Sequence, residues 1–375
     1  MAAGCGIAAV LGILSMTWLW PAVARVVWRL EGSRRSLRPP QPGIRRLAIL
    51  IPVHGDPIGL RQTLDTITRA VSVAEERFPH LRCSITVGID GASDSLREVA
   101  RARGCATIES TECRGKWHTL RDLLKATPNA ECVALVDAGS LWEDDLLLSV
   151  LPHFRRREVV GVAPSYDNPT GGVVERVLWA FERHLKRLED GAGGPISVHG
   201  ATVFYRGRHL RRVLRRLGEG RWLNDDVVIP FQLRAAHPSF RIRYLDDVAV
   251  HDGPATVTTP GASAPDFGRR CRLVLGNVQW LRTVVSGQTP GALTVRLLAL
   301  RRLTRLFWAW WLLLAGIPVL VLLGGKTGWG GIATVLILGA LVAMLVRALT
   351  TAAAASLLAP LYLLAPAWAG RVRWR

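Results

Sequence analysis

The chain has 375 residues, with 48 Lys and Arg against 29 Asp and Glu, giving a net charge of +19. At 49% hydrophobic residues and a mean hydropathy of +0.22 it is no disordered chain, and it has room for one domain of about 250 residues plus apolar segments. The basic excess suits phosphate-rich ligands and anionic lipid head groups, while the lack of zinc-finger spacing and of an RNA-binding aromatic signature argues against nucleic acid.

Residues 5–24 (CGIAAVLGILSMTWLWPAVA) are apolar, uncharged and long enough to span a bilayer. Arg25, Arg29, Arg34, Arg35, Arg38, Arg45 and Arg46 follow, which places that flank in the cytoplasm by the positive-inside rule. A cleaved signal peptide is the alternative, but a basic leader is missing. Apolar runs at 46–53, 83–89 and 131–136 predict strands, and 58–77, 115–126 and 143–153 predict helices. Their alternation predicts a parallel α/β sheet. Gly191–Pro195 and 253–265 read as loops, the second as a gate before a helix that starts near Asp266. RGRHLRRVLRRL (206–217) predicts a basic helix, either a solvated face or one that meets lipid phosphate. Arg296, Arg301, Arg302 and Arg305, interleaved with Leu and Val, predict an interfacial helix. The spans 306–324 and 331–346 predict a membrane hairpin, and 350–369 is a third apolar segment whose crossing stays open. The cysteines, Cys5, Cys83, Cys105, Cys113, Cys132 and Cys271, form no CxxC and read as buried, reduced thiols.

Four acidic motifs stand in order: Asp56 in LAILIPVHGD, Asp90 in ITVGIDGAS, Asp137 in ECVALVDAGS and Asp225–Asp226 in RWLNDDVVIP. The first three close apolar runs, and the carboxyl ends of parallel strands are where open α/β sheets bind ligands. RGKWHTL puts Lys116 at a helix start, where free amides and an ammonium meet anionic phosphate. It is not a P-loop, since GxxxxGK[ST] is absent. Bland readings stand beside these. Asp56 before Pro57, Asp94, and the two acids after Asn224 are all good helix caps, and Glu143, Asp144 and Asp145 suit a helix amino terminus. His118 reads as a packing residue, His199 as a ligand contact or a core histidine, and His251 as an optional metal ligand.

In order and local sequence these motifs resemble the family 2 glycosyltransferases, inverting enzymes of the GT-A fold that use nucleotide-sugars and include the cellulose, hyaluronan and chitin synthases. The resemblance covers about residues 45–285. It implies an α/β GT-A fold with a mostly parallel central sheet, plus transmembrane helices. The expected divisions are a transmembrane helix and basic flank (1–28), a cytosolic catalytic domain (29–290), an interfacial helix (291–305) and transmembrane helices (306–375). It also implies roles: Asp56 beside the base or ribose, Asp90 accepting the imide N–H of uracil and so favouring a UDP-sugar, Lys116 and Arg272 on the diphosphate, Asp137 on Mg²⁺ or Mn²⁺, Asp226 as general base, and Asp225 orienting it. Two departures matter. Gly139 replaces the second acid of the usual Asp-x-Asp, as in the Asp-x-Gly form of fungal chitin synthases. Aligned on Arg272, Arg269 and Leu273 replace the Gln and Trp of processive synthases, so the polymer-guiding platform is lost. The implied activity is sugar transfer to a saccharide or lipid-linked acceptor at the inner membrane, with membrane lipids as partners and any partner subunit open. The alternatives are a polyprenyl-phosphate sugar transferase, or a non-catalytic scaffold, which Gly139 favours.

Overall fold

The computed structural model describes residues 11–12, 19–32, 40–167, 173–220, 222–253, 267–285, 292–311, 313–314, 354 and 356–357. They divide into two compact units, one mainly Ala24–Thr256 and the other including Val257–Gln288 and Arg296–Val372.

In chain order the elements are α1 (Trp20–Gly32), β1 (Arg46–Val53), α2 (Pro57–Arg77), β2 (Arg82–Asp90), α3 (Asp94–Arg101), β3 (Ala106–Ser110), α4 (Lys116–Ala126), β4 (Cys132–Val136), β5 (Ser140–Trp142), α5 (Leu146–Val150), β6 (Val159–Asp167), α6 (Val173–Asp190), β7 (Thr202–Arg206), α7 (Gly207–Leu217), α8 (Asp225–Ala236), β8 (Arg241–Asp252), α9 (Phe267–Val285) and α10 (Leu293–Leu306). The strands form one sheet in the order β3-β2-β1-β4-β7-β6-β8-β5. β1 is buried on both faces beyond Arg46, which is why it reads as an unbroken apolar run. Leu47, Ile49, Ile51 and Val53 share one core with Leu60, Leu64 and Ile67 of α2; each such side chain contributes about 1.5–3 kcal/mol by leaving water.

β3, β2, β1 and β4 run parallel. β6 and β8 pair in parallel, whereas β7 is antiparallel to β4 and to β6 and β5 is antiparallel to β8, so the sheet is mostly parallel with two reversed strands. The strand order reverses at β1, with β2 on one side and β4 on the other. This switch point opens a crevice at the carboxyl ends of the strands, and Asp56, Asp90 and Asp137 all stand at such ends. Two local expectations change. The span 143–153 is two pieces, α5 and a tighter turn at Leu151–Arg155, because Pro152 cannot continue the helix ladder. Ser93, not Asp94, caps α3, and Asp94 instead pairs with Arg97 one turn on.

Among the described residues no helix is long and apolar enough to cross a membrane. This corrects the expectation of transmembrane helices, of an inner-membrane location and of lipid partners. The segments 5–24, 306–324, 331–346 and 350–369 themselves lie largely outside the described residues, as does most of the loop 253–265. What is described near them is amphipathic. α1 has 13 residues, carries Arg25, Arg29 and Glu31, and buries Trp28 beneath the guanidinium groups of Arg234 and Arg241, 4.8 and 5.7 Å from its ring. In α10 the side chain of Arg301 is fully buried, Arg302 donates to Asn277 and Arg296 is exposed, so these arginines do not share one exposed face.

Candidate active site

Lys116 is the centre of the site. It opens α4, whose amino terminus follows Gly115 and has no side-chain cap, leaving its first amides available to an anion. The Lys116 ammonium lies 2.7 Å from Asp137 Oδ1 and 3.1 Å from Asp225 Oδ2, so it joins the end of β4 to the start of α8. Burial works against its charge, but the fields and hydrogen bonds of Asp137 and Asp225 outweigh that and hold its pKa above the ordinary lysine value. Asp226 follows on the first turn of α8, and its carbonyl accepts from the Val198 amide at 2.9 Å. Gly200 lies between the acids: a methyl group there would sit 3.7 Å from Asp137 Oδ2 and 3.8 Å from Asp226 Cβ. The absence of a side chain keeps the space between Asp137 and Asp226 open.

Asp90 takes a supporting position. It is buried, and its two oxygens accept the backbone amides of Arg114 and Gly115 at 2.8 Å each. It thereby anchors the turn that presents Lys116. Asp56 caps α2, accepting from the Gly59 amide at 2.8 Å. Arg272 is half-buried on α9, in the other unit. Of the residues singled out from sequence, the structure brings together Lys116, Asp137, Asp225 and Asp226, with Asp90 behind them.

Gly139 has φ of +96°, with its amide held by Thr63 Oγ1 at 2.8 Å and its carbonyl by the Gly253 amide at 2.9 Å. A glycine satisfies this backbone where an aspartate would be strained, which accounts for the missing second acid. His251 meets Glu143 at 3.1 Å, and Asp144 meets Arg69 at 3.2 Å. His199 is a core histidine, stacked among Tyr166, Trp179 and Tyr244. Burial first, and then the charge of Lys186, lower its pKa to about 3.

Two groups, Tyr205 and His54, escaped the sequence reading. Tyr205 on β7 has a buried hydroxyl with no hydrogen-bond partner among the described residues, and its pKa is raised by burial and then by Asp225 and Asp226. His54 Nδ1 lies 2.7 Å from the Asp90 carbonyl, and the exposed Cys113 thiol lies 3.7 Å from both. An aromatic in FYR and a lone His-Gly carry no signal of their own. Cys113 also departs from the expectation that the thiols are buried.

Among the described residues no three His, Cys, Asp or Glu side chains form a metal cage. Asp137 offers a half-exposed carboxylate, one oxygen of which meets Lys116. That donor set fits a hydrated cation whose remaining ligands are diphosphate oxygens and water, as Mg²⁺ prefers.

A family profile described as glycosyltransferase like family 2 matches residues 45–272. The chain belongs to this family. It is a glycosyltransferase-like enzyme of the GT-A fold. Among solved structures this family 2 chain is similar to the mannosyltransferase PcManGT from Pyrobaculum calidifontis in complex with GDP-Man and Mn²⁺, at 19% identity over 97% of this chain and 99% of that one, with a TM-score of 0.66. Glucosyl-3-phosphoglycerate synthase from Mycobacterium tuberculosis, in complex with Mn²⁺, UDP and phosphoglyceric acid, matches at 14% identity over 64% of this chain and 78% of that one, with a TM-score of 0.41. No curated protein matches.

Proposed function

We propose that this family 2 chain transfers a sugar, with inversion, from a nucleotide-sugar to an acceptor hydroxyl. The observation that carries the reading is the convergence of Lys116, Asp137, Asp225 and Asp226 around the gap at Gly200. The donor diphosphate lies against the uncapped start of α4 and the Lys116 ammonium. The acceptor oxygen attacks the anomeric carbon from the face opposite the diphosphate, the bond from that carbon to the phosphate oxygen breaks, and Asp226 takes the hydroxyl proton. Lys116 and the α4 amides bind the departing charge, and Asp225 holds Lys116 in place.

Asp137 would hold Mg²⁺ or Mn²⁺; when bound, that cation neutralises the leaving diphosphate. The complex of the similar mannosyltransferase with GDP-Man and Mn²⁺ supports a nucleotide-sugar and a divalent cation here as well. The family resemblance points to UDP-sugars as the first donors to try, with GDP-sugars beside them.

Asp226→Asn tests the reading. The amide keeps the shape and cannot accept the proton, so transfer falls by about 10²–10⁴ while nucleotide affinity stays near wild type. A folded variant that transfers sugar at the wild-type rate removes Asp226 from the role.

A further inference from the structure

α7 has a sharply divided surface. Leu210, Val213 and Leu214 face the core, and Arg208, Arg212, Arg215 and Arg216 are exposed on the opposite side. Arg212 lies 4 residues after Arg208, and Arg215 and Arg216 lie 3 and 4 residues after Arg212, so the guanidinium groups fall at three levels of one stripe with the last two side by side. The field is positive along its length. His209 is held at a pKa of about 4 by burial and then by Arg208, Arg206 and Arg212, and Arg211 is lowered by burial and then by Arg215.

The stripe has a direction. At its start, the Gly207 amide donates to the Glu131 carbonyl at 2.8 Å, beside the amino end of β4 and far from the strand ends that carry the acids. There Arg206 reaches the carbonyls of Phe154, Arg156 and Val159, which sets the exposed Arg155, Arg156 and Arg157 next to the stripe. At its other end, Trp117 donates to the Gly218 carbonyl at 3.3 Å and Glu219 pairs with Arg121 at 3.5 Å, both on α4. Trp117 follows Lys116, and the chain then runs from Gly218 to Asp225 and Asp226. An eleven-residue helix is about 16 Å long. A path of arginines therefore leads from beside the amino end of the central strand β4 to the mouth of the site.

We propose that this stripe is a docking track for the acceptor, and that the acceptor is an anionic glycan with a carboxylate on successive sugars. The proposal rests on the function proposed above, which puts the acceptor hydroxyl at Asp226. Three features favour a glycan. The charges recur about once per helical turn, roughly 5.4 Å, close to the repeat of an extended hexose chain. The guanidinium fork matches a carboxylate in two-point contact. Residues 207–217 hold no Phe, Tyr or Trp, so the track has no platform on which bases could stack.

The test uses the full chain and a fluorescein-labelled oligogalacturonate long enough to cover the helix, followed by fluorescence anisotropy at low salt. Arg208→Gln, Arg212→Gln, Arg215→Gln and Arg216→Gln are combined in one variant, and the same four positions are changed to Lys in a second. The Gln set should bind about tenfold more weakly or worse, the Lys set should stay within about threefold of wild type, and the methyl-esterified oligomer should bind at least about tenfold more weakly than the acid. Equal binding by the Gln set, or equal binding of the ester, overturns the proposal. So does tighter binding of phosphatidylglycerol vesicles or of a single-stranded oligonucleotide than of the glycan. Should the Gln set fail to fold, the ester comparison on wild-type protein decides alone. Asp226→Asn, run alongside, separates the two readings: it should hold the glycan as wild type does. Retained transfer by that variant sinks the general base and leaves the track standing; glycan binding indifferent to the arginines sinks the track and leaves the base standing.

Discussion

Asp90→Asn separates two roles for one carboxylate. If Asp90 reads the base of the donor, its loss lowers affinity for a uracil nucleotide and leaves the fold alone. The structure gives it a different task, since each oxygen takes one backbone amide at 2.8 Å and the residue is 2% exposed. Asparagine keeps one acceptor oxygen and turns an N–H toward the other amide. One bond to a charged group, worth about 1.5–3 kcal/mol, is lost, and a buried amide is left unsatisfied. A net cost of about 3 kcal/mol lowers the melting temperature by about 6–12 °C in a unit of this size. The displaced turn carries Lys116, so affinity for nucleoside diphosphates should fall by about tenfold, equal to about 1.4 kcal/mol, for UDP and GDP alike. Thermal unfolding and titration calorimetry on the same preparation measure both. An unchanged melting temperature with a loss confined to UDP refutes the anchoring argument.

Lys116→Met removes the ammonium that bridges Asp137 and Asp225; calorimetry should show diphosphate affinity lower by at least about tenfold, with stability reduced by about 1–3 kcal/mol because the half-exposed Asp137 keeps contact with water. A variant that binds diphosphate as wild type does places the anion elsewhere. His199, with its pKa lowered to about 3, stays neutral in the folded protein while the unfolded chain takes a proton near pH 6.5. Its contribution is therefore complete above about pH 6.5 and is lost toward pH 3 at about 1.4 kcal/mol per unit. Denaturant unfolding of His199→Asn should show a shallower pH dependence between about pH 6 and 4; equal slopes would place the acid sensitivity in other groups. Gly139→Ala meets no atom within 4 Å yet must adopt φ of +96°. Chemical denaturation should report a loss of about 1–2 kcal/mol from the backbone alone, and an unchanged stability would show that the turn relaxes.

Much of the catalytic unit was legible because β1 and β4 are near-continuous apolar runs and β2 ends in one, each closed by an acid and a turn. α7 was legible for the opposite reason, since its arginines and leucines alternate at helical spacing. Strand direction was not legible: nothing in the composition of TVFYR marks β7 as reversed, and periodicity is blind to polarity. The Asp90 anchor was hidden because its amides belong to Arg114 and Gly115, well along the chain, and backbone partners leave no trace in side-chain identity. Ser93 and Asp94 are both good caps, so the choice between them needed coordinates. Arg301 misled for a physical reason, as arginine is seldom fully buried, and four arginines near an apolar stretch read as a solvent-facing stripe.

The double pairing of Lys116 also bears on how this site can change. One ammonium serves two carboxylates that come from different elements, Asp137 after β4 and Asp225 on α8. Substitutions at positions 116, 137 and 225 are therefore epistatic: the effect of any one depends on which residues hold the other two. A library that varies them one at a time will record three losses and miss compatible sets in which charge is exchanged between positions. Selection, in the laboratory or in nature, sees this trio as a single heritable unit.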